Sequence, residues 1–464
     1  MEQPVALTWH TQGQHVLYDE ATGGWRMAGS DPLPVRRLAW VSDYGSVPPL
    51  SASEGIGNDI DAARNLLIKG DNLFALRALL PSLASKVDFV YIDPPFNTGR
   101  NSGPYADNLD HGLWLSMFEE RAALAKELIR EGGVFAAHLN TVEQAYVRVI
   151  LDGLFGRENF VSQVSWQRAP DRTLLGQGVA PINDCLEYIL IYSKGPLRRD
   201  LPPPTKEEPI SWKTLKTYSR LIRMSKEREK VAEFTDRQGN EVNIFVHDWF
   251  SMEPAGIENL RHAYFHSWRV MKPFFPYLCR LTNQQRESTF QQQLLSQMPD
   301  KDRLYSAEFV QARGKHKGLR TRYYLNGQVI LFLKDISELR GNRVVRVADM
   351  NNLWTDDEVP ATGIANEGGV ALKRGKKPER LLSRLIRSFS LEGDLVMDFF
   401  AGSGTTGAVA HKLNRRWIMV EANEKSFSMC RKRMESVVDG TDPRGISREA
   451  GWNGGGGFTI MRVQ

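Results

Sequence analysis

The sequence predicts an α/β fold, a largely parallel sheet covered by helices on both faces and interrupted by an inserted basic region. Three observations predict it. Short apolar strands alternate with amphipathic helices in residues 61–195 and again in 351–464. A full G-x-G-x-x-G pattern, Gly402, Gly404 and Gly407, lies between a strand and a helix in the second stretch. Between the two stretches, residues 196–350 lose the alternation and gain positive charge.

Residues 1–60 are rich in Gly, Pro and Ser, carry no assignable chemistry and read as an N-terminal extension. Behind Asp71, a natural N-cap, Leu73, Leu76, Leu79, Leu80 and Leu83 recur at helical spacing and predict a helix over 71–84. The run VDFVYI, residues 87–92, predicts a buried strand because it is apolar, β-branched and aromatic. Trp114, Met117, Phe118, Ala125 and Leu128 share one face of a helix over 111–130. GVFAAHL, residues 133–139, and EYILIYS, starting at 187, read as further strands. After the break, Leu381, Leu382, Leu385, Ile386 and Phe389 predict a helix over 378–390. A strand at 395–399, the glycine turn, a helix near 405–413 and a strand at 416–420 follow. FTIMRV, 458–463, reads as a last, antiparallel strand.

Charge is unevenly placed. Residues 195–350 hold 27 Lys+Arg against 18 Asp+Glu, while the remainder holds 33 against 37. A basic middle is the footprint of a polyanionic partner. Cys185, Cys279 and Cys430 are far apart and form no C-x-x-C pair, so they read as buried structural residues and no metal site is expected. No apolar run approaches the ~18 residues of a membrane span, and no basic-then-apolar leader opens the chain. A cytoplasmic protein without membrane contact is expected.

Glu421 stands 19 residues after Gly402, at the end of the next strand, which completes a Rossmann-like fingerprint. Glycine admits close approach of a ligand to the backbone, and the carboxylate suits ribose hydroxyls. The pattern serves a nicotinamide or flavin dinucleotide, S-adenosyl-L-methionine, or a plain α/β turn. Asp398, at the strand end, would repel pyrophosphate and attract an ammonium, which favours S-adenosyl-L-methionine. Only 57 residues follow Gly407, so the sheet is expected to draw strands from earlier in the chain.

Asp93-Pro94-Pro95-Phe96 follows the strand at 87–92 directly. Two prolines fix φ and remove two N–H donors, which leaves a rigid turn that presents acceptors. An exocyclic base amine is a weak nucleophile because its lone pair is delocalised into the ring. Two acceptors on its hydrogens, the Asp93 carboxylate and the Pro94 carbonyl, would favour a pyramidal nitrogen. Phe96 offers a face on which an extruded base stacks.

With these motifs the chain resembles the β-class DNA amino-methyltransferases, and among them the modification subunits of type III restriction systems and stand-alone adenine-specific enzymes. The likeness covers roughly 65–195 and 365 to the end, and it is most specific in KGDNLFALRALLPSLASKVDFVYIDPPFNTG, residues 69–99. It implies a Rossmann-like, S-adenosylmethionine-dependent methyltransferase fold with circularly permuted motif order. The implied parts are a catalytic part at 61–195, an inserted target-recognition region at 196–350 and a cofactor-binding part at 351–464. The implied catalytic residues are Asp93, Pro94, Pro95 and Phe96, continued by Asn97, Thr98 and Gly99 in a loop over the site. The implied cofactor-binding residues are Asp71, Lys377, Pro378, Asp398, Phe400, Gly402, Gly404, Thr405 and Glu421. Phe155-Gly156, Asn159-Phe160, Trp166 and Glu187 to Leu190 match the remaining blocks. Two stretches depart from the family: Asp398-Phe399-Phe400 replaces Asp-Pro-Phe, and His138-Leu139-Asn140 replaces a more acidic segment.

The resemblance further implies double-stranded DNA as partner, with adenine N6 favoured by Asp93 and cytosine N4 as the near alternative. A homodimer and a separate restriction subunit are also implied, since the chain lacks the G-x-x-x-x-G-K-[ST] motif of a motor. In the inserted region, RHAYFHSWRVMKPFF (261–275) and RGKHKGLRTRYY (313–324) mix basic and aromatic residues suited to nucleic acid. His247 beside Asp248 reads as structural. A dinucleotide-dependent oxidoreductase, a non-catalytic DNA-binding protein, and a methyltransferase acting on RNA or a protein amide are the rival readings.

Overall fold

The computed structural model describes residues 7–29, 32–47, 64–97, 109–168, 184–283, 289–311, 318–361, 364–369, 375–442 and 444–464. The chain divides into two compact units, Met1–Pro204 with Asn351–Gln464, and Thr205–Met350.

The first unit contains β1 (Val16–Asp19), β2 (Gly24–Met27), β3 (Leu38–Gly45), β4 (Leu66–Lys69), α1 (Asn72–Leu83), β5 (Val87–Ile92), α2 (His111–Leu128), β6 (Ile129–Leu139), α3 (Gln144–Phe155), β7 (Phe160–Gln167) and β8 (Leu186–Ser193). The chain returns to it with β9 (Leu353–Trp354), α4 (Glu379–Phe389), β10 (Leu395–Asp398), α5 (Thr405–Lys412), β11 (Arg416–Glu421), α6 (Glu424–Val438) and β12 (Gly457–Val463). Ten of these strands form one sheet in the order β9-β7-β8-β6-β5-β10-β11-β4-β12-β3. From β6 to β12 in that order, every pair is parallel. The central strands β4, β5 and β10 are buried along their whole length, as helices on both faces require.

Local signals fix the element ends. The Asp71 side chain accepts from the Leu73 N–H and starts α1, and Asp110 caps α2 the same way. Pro378 is the N-cap of α4, whose buried face is Leu381, Leu382, Leu385 and Ile386. The strand at 457–463 departs from expectation. β12 runs parallel to β4, with Thr459 opposite Leu66, and only its outer neighbour β3 is antiparallel to it. The helix α6 carries the chain back across the sheet, so β12 enters in the direction of its neighbours. β3 also shows that part of residues 1–60 is built into the first unit. Residues 196–204 belong to this unit as well, where Arg198 Nη1 lies 3.0 Å from Asp88 and 2.6 Å from Asp394.

β5 and β10 are direct neighbours, with Phe89 opposite Val396 and Val90 opposite Met397. From β5 the chain moves on to β6 on one side, and from β10 to β11 on the other. This divergence is a topological switch point, and it opens a crevice at the carboxyl ends of the two strands. Asp93 and Asp398 stand at those two ends.

The second unit is built on an eight-stranded antiparallel sheet, ordered 228–235, 241–247, 305–311, 318–325, 328–332, 278–282, 220–224, 250–254. A three-stranded sheet of 338–340, 343–349 and 205–209 accompanies it. His247 is buried, with Nδ1 2.9 Å from the Ser225 carbonyl and Nε2 3.0 Å from Ser306 Oγ, a structural setting. Residues 313–317 of the second basic stretch lie outside the described residues. Cys279 and Cys430 are buried, whereas Cys185 is half-buried. Among the described residues no helix is long and apolar enough to cross a membrane.

A buried charge cluster ties α4, α5 and α6 together. Lys412 Nζ donates to both Glu379 oxygens at 2.9 Å and to Asp442 at 2.6 Å, and Arg433 Nη2 donates to Glu379 at 2.7 Å. Glu379 also accepts from the Ile446 N–H. Removing one member leaves uncompensated charge in the core. Glu379→Ala is therefore expected to cost about 3–5 kcal/mol of unfolding free energy, read from the denaturant midpoint; a loss under about 1 kcal/mol would show that the cluster is not cooperative.

Candidate active site

The Asp-Pro-Pro-Phe turn is held from behind. Trp114 Nε1 on α2 donates to the Pro95 carbonyl at 2.7 Å, and Asn140 Nδ2, just past β6, donates to the Phe96 carbonyl at 3.0 Å. Asn97 has a φ of 54° and donates from Nδ2 to the buried Glu143 carboxylate at 3.0 Å. Thr98 and Gly99, expected to continue the loop, lie outside the described residues. These bonds fix the outer carbonyls of the turn. The Asp93 carboxylate receives no such bond from the turn's supports, and its buried Oδ1 meets the Lys377 ammonium instead.

What faces Asp93 is a chain of polar side chains. Lys377 Nζ forms an ion pair with Asp93 Oδ1 at 3.1 Å, and it donates to Glu187 Oε2 at 2.9 Å. His138 Nε2 is 2.8 Å from the same Glu187 oxygen, and His138 Nδ1 is 2.8 Å from the Tyr91 hydroxyl. Arg168 Nη1 lies 3.2 Å from Glu187 Oε1. Lys377 also sits 4.4 Å from the centre of the Phe96 ring, and His138 meets Trp166 edge-on. Burial pushes the Asp93 carboxyl up, opposed by the Lys377 ammonium. Burial also works against the Glu187 carboxylate, but Lys377 and His138 outweigh it and hold Glu187 well below the usual range. Burial and the Lys377 charge push His138 down, so its imidazole is neutral.

The second motif lies on the adjacent strand. Asp398 accepts from the Phe400 N–H at 2.9 Å and from Thr406 Oγ1 at 2.6 Å. Glu421 accepts from the Gly402 N–H at 2.8 Å and the Asn423 N–H at 2.7 Å, which fastens the glycine turn to the end of β11. Gly402 has a φ of 53°, and a Cβ there would meet nothing nearer than the Phe400 carbonyl at 3.9 Å, so the turn has an open side. Gly407 is packed instead: a Cβ would stand 2.2 Å from Met419 Cε. Thr405 is anchored by Arg433 Nη1 at 2.7 Å. Phe400 is half-buried, and residues of the N-terminal hairpin flank it: Trp25 lies 6.1 Å away, ring to ring, and Asn423 Nδ2 donates to the Tyr18 hydroxyl at 3.0 Å.

Two expected cofactor residues make their contacts within the chain. Asp71 is engaged within the chain by the Leu73 and Tyr18 N–H groups and by Arg121 at 3.0 Å, so its carboxylate shapes the start of α1. Lys377 points to Asp93 and Glu187 rather than to the glycine turn. Pro378 beside it is buried at the start of α4. His138, Asn140, Trp114 and Tyr91 were not singled out for the site by sequence. The available signal was polarity inside apolar strands, since His138 and Glu187 are charged-type residues in otherwise hydrophobic runs. Among the described residues no cluster of His, Cys, Asp and Glu could hold a metal ion.

Comparison with known proteins gives the following. A family model described as DNA methylase matches residues 87–432. A protein of Haemophilus influenzae, "Probable type III restriction-modification enzyme HindVI Mod subunit", is 30% identical over 427 residues, 88% of this chain and 55% of that protein. The "Type III restriction-modification enzyme EcoP15I Mod subunit" of Escherichia coli is 26% identical over 401 residues, 76% of this chain and 57% of that protein. The chain thus spans little more than half the length of these relatives. A solved structure of a "Putative DNA Modification Methylase" from Thermus thermophilus, complexed with S-adenosyl-L-methionine, aligns with a TM-score of 0.38 and 15% identity, over 86% of this chain and 100% of that one.

Burial pushes the Asp398 carboxyl up to about 7, despite its bonds from Thr406 and Phe400 and with help from Asp93 and Glu421. The folded pKa then exceeds the unfolded value of about 4. The stability this group contributes is complete below about pH 4 and is lost as pH rises toward 7. Asp398→Asn should flatten that decline relative to the parent chain when denaturant midpoints are compared between those limits. Parallel pH curves for the two proteins would contradict the assignment.

Proposed function

The chain belongs to the DNA methylase family, and from that membership and the site's geometry we propose that it transfers a methyl group from S-adenosyl-L-methionine to the exocyclic N6 amine of adenine in duplex DNA. The observation that carries this reading is the pairing of β5 with β10, which sets the Asp93 carboxylate beside the strand that leads into the glycine turn.

The residues fit the cofactor. The crevice is acidic: Asp93, Asp398 and Glu421 outnumber Lys377 on its floor, and each of the first and third raises the Asp398 carboxyl. Such a field attracts a sulfonium and an ammonium and repels a pyrophosphate, which disfavours a dinucleotide. Asp398 would hold the ammonium, Glu421 the ribose hydroxyls, and the open face of Gly402 would admit the ligand close to the backbone. When bound, S-adenosyl-L-methionine supplies an electrophilic methyl group.

The chain's own residues act on the amine. The Asp93 carboxylate and the Pro94 carbonyl accept its two hydrogens, which draws the nitrogen lone pair out of conjugation. The amine loses one proton on methylation, and the Asp93 carboxylate would take it. Phe96 stacks the extruded base, and Trp114 and Asn140 keep the turn rigid, so positioning supplies much of the rate. The second unit, with its basic surface, would bind the DNA backbone and read sequence. The likeness to Mod subunits supports action beside a separate restriction subunit, and a homodimer is part of the same reading.

The test is to incubate the chain with S-adenosyl-L-methionine and a duplex library, then map modified bases by sequencing. N6-methyladenine at one recurring site is expected. Asp93→Ala should lower the rate roughly 10²–10⁴-fold; methylation at cytosine N4, or on RNA alone, would overturn the assignment. Phe96→Ala should weaken productive binding of DNA by about 1–3 kcal/mol while leaving cofactor binding unchanged, measured as a rise in KM for the duplex.

A further inference from the structure

Lys377 has no part in the function as stated so far, yet it is a buried cation in direct contact with Asp93. Its side chain is 8% exposed, and it lies between two carboxylates, Asp93 at 3.1 Å and Glu187 at 2.9 Å. It precedes α4 in the second segment of the unit, whereas both partners come from the first. We propose that Lys377 is a positioning residue that keeps Asp93 ionised, and that Tyr91, His138 and Glu187 exist to hold it there.

Charge balance supports this. The cluster has two carboxylates, Asp93 and Glu187, and two cations, Lys377 and Arg168. His138 is neutral. Lys377 is the cation shared by both carboxylates, so its charge favours the ionised form of Asp93, the form that accepts amine hydrogens. Every charged or titratable group around Asp93 enters the count: Lys377 before α4, His138 on β6, Glu187 on β8, Tyr91 on β5 and Asp398 on β10. Of these, only Lys377 carries positive charge at neutral pH. Without it, a buried carboxylate stands among other carboxylates and takes up a proton.

The anchoring follows from hydrogen-bond roles. The Glu187 carboxylate, 2.8 Å from His138 Nε2, can only accept, which places the ring proton on Nε2. Nδ1 of the neutral ring then accepts from the Tyr91 hydroxyl at 2.8 Å. Glu187, so fixed, receives Lys377 on the same oxygen. The series from Tyr91 to Lys377 leaves the ammonium within ion-pair reach of Asp93 Oδ1. The 4.4 Å contact with Phe96 adds a second restraint, since a cation over an aromatic face is attracted to it.

The inference rests on the methylation reading for its purpose, but its physical content is separable. The experiment is a pH-difference infrared titration of the Asp93 carboxyl in the full chain, assigned by its loss in Asp93→Asn. In Lys377→Met the Asp93 titration should move up by about 1–3 pH units, whereas Lys377→Arg should stay near the parent chain. If Lys377→Met does not fold, the double variant Lys377→Met with Glu187→Gln removes one charge of each sign and should still show an upward shift. The acid limb of the methylation rate should move with the carboxyl, so Lys377→Met regains activity at high pH. An unmoved Asp93 titration, or Lys377→Arg shifting as far as Lys377→Met, sinks the inference. Should the parent chain methylate no DNA, the function proposed above fails while the infrared titration still decides the role of Lys377.

Discussion

The seam between β5 and β10 is the constraint on which the first unit depends. A separate unit interrupts the chain between residues 204 and 351, and the parallel sheet is complete only when strands from both segments lie edge to edge. The seam has only two registered residue pairs. It is clamped at both ends by charge. At the amino end, Asp88 accepts from the Leu395 N–H at 2.8 Å, and Arg198 bridges Asp88 and Asp394. At the carboxyl end, Lys377 joins the second segment to Asp93 and Glu187 of the first. A misplaced seam would separate the Asp-Pro-Pro-Phe turn from the glycine turn.

The same clamp decides the electrostatics. Three carboxylates at the strand ends make the crevice attractive to a cationic ligand, but they also disfavour one another. Burial raises both Asp93 and Asp398. The ammonium of Lys377 relieves this on the Asp93 side, and a cationic cofactor would relieve it on the Asp398 side. Burial that raises carboxyl groups in this way is more common at functional sites than elsewhere.

Much of the molecule was legible from local pattern. The strand at 87–92 and the helix behind Asp71 appear within a residue or two of their expected bounds, because apolar periodicity and capping are local properties. The glycine turn was legible for the same reason: each of its residues answers a steric demand within a few positions. The direction of β12 was not, because a strand's sense depends on the helix that returns it and on which neighbour it joins. Asp71 shows the limit for single residues. A capping aspartate and a ligand-binding aspartate look alike in sequence, and the contacts with Tyr18 and Arg121 come from parts of the chain that local pattern does not show.

By itself the sequence determined the chemistry available: an acceptor-rich rigid turn after one buried strand, a glycine turn with two carboxylates after another, and a basic insertion between them. These follow from residue type and spacing along a few turns of chain. Tertiary structure decided which of those groups act together. Lys377 reads as a neighbour of Pro378, yet in space it is the counter-ion of Asp93. In a stretch that departs from the family's pattern, Asn140 supports the Asp-Pro-Pro-Phe turn, and His138 joins Tyr91 to Glu187. The physical reason is that a buried charge is defined by what surrounds it, and its surroundings come from strands distant in sequence that only the closed sheet brings within about 3 Å of one another.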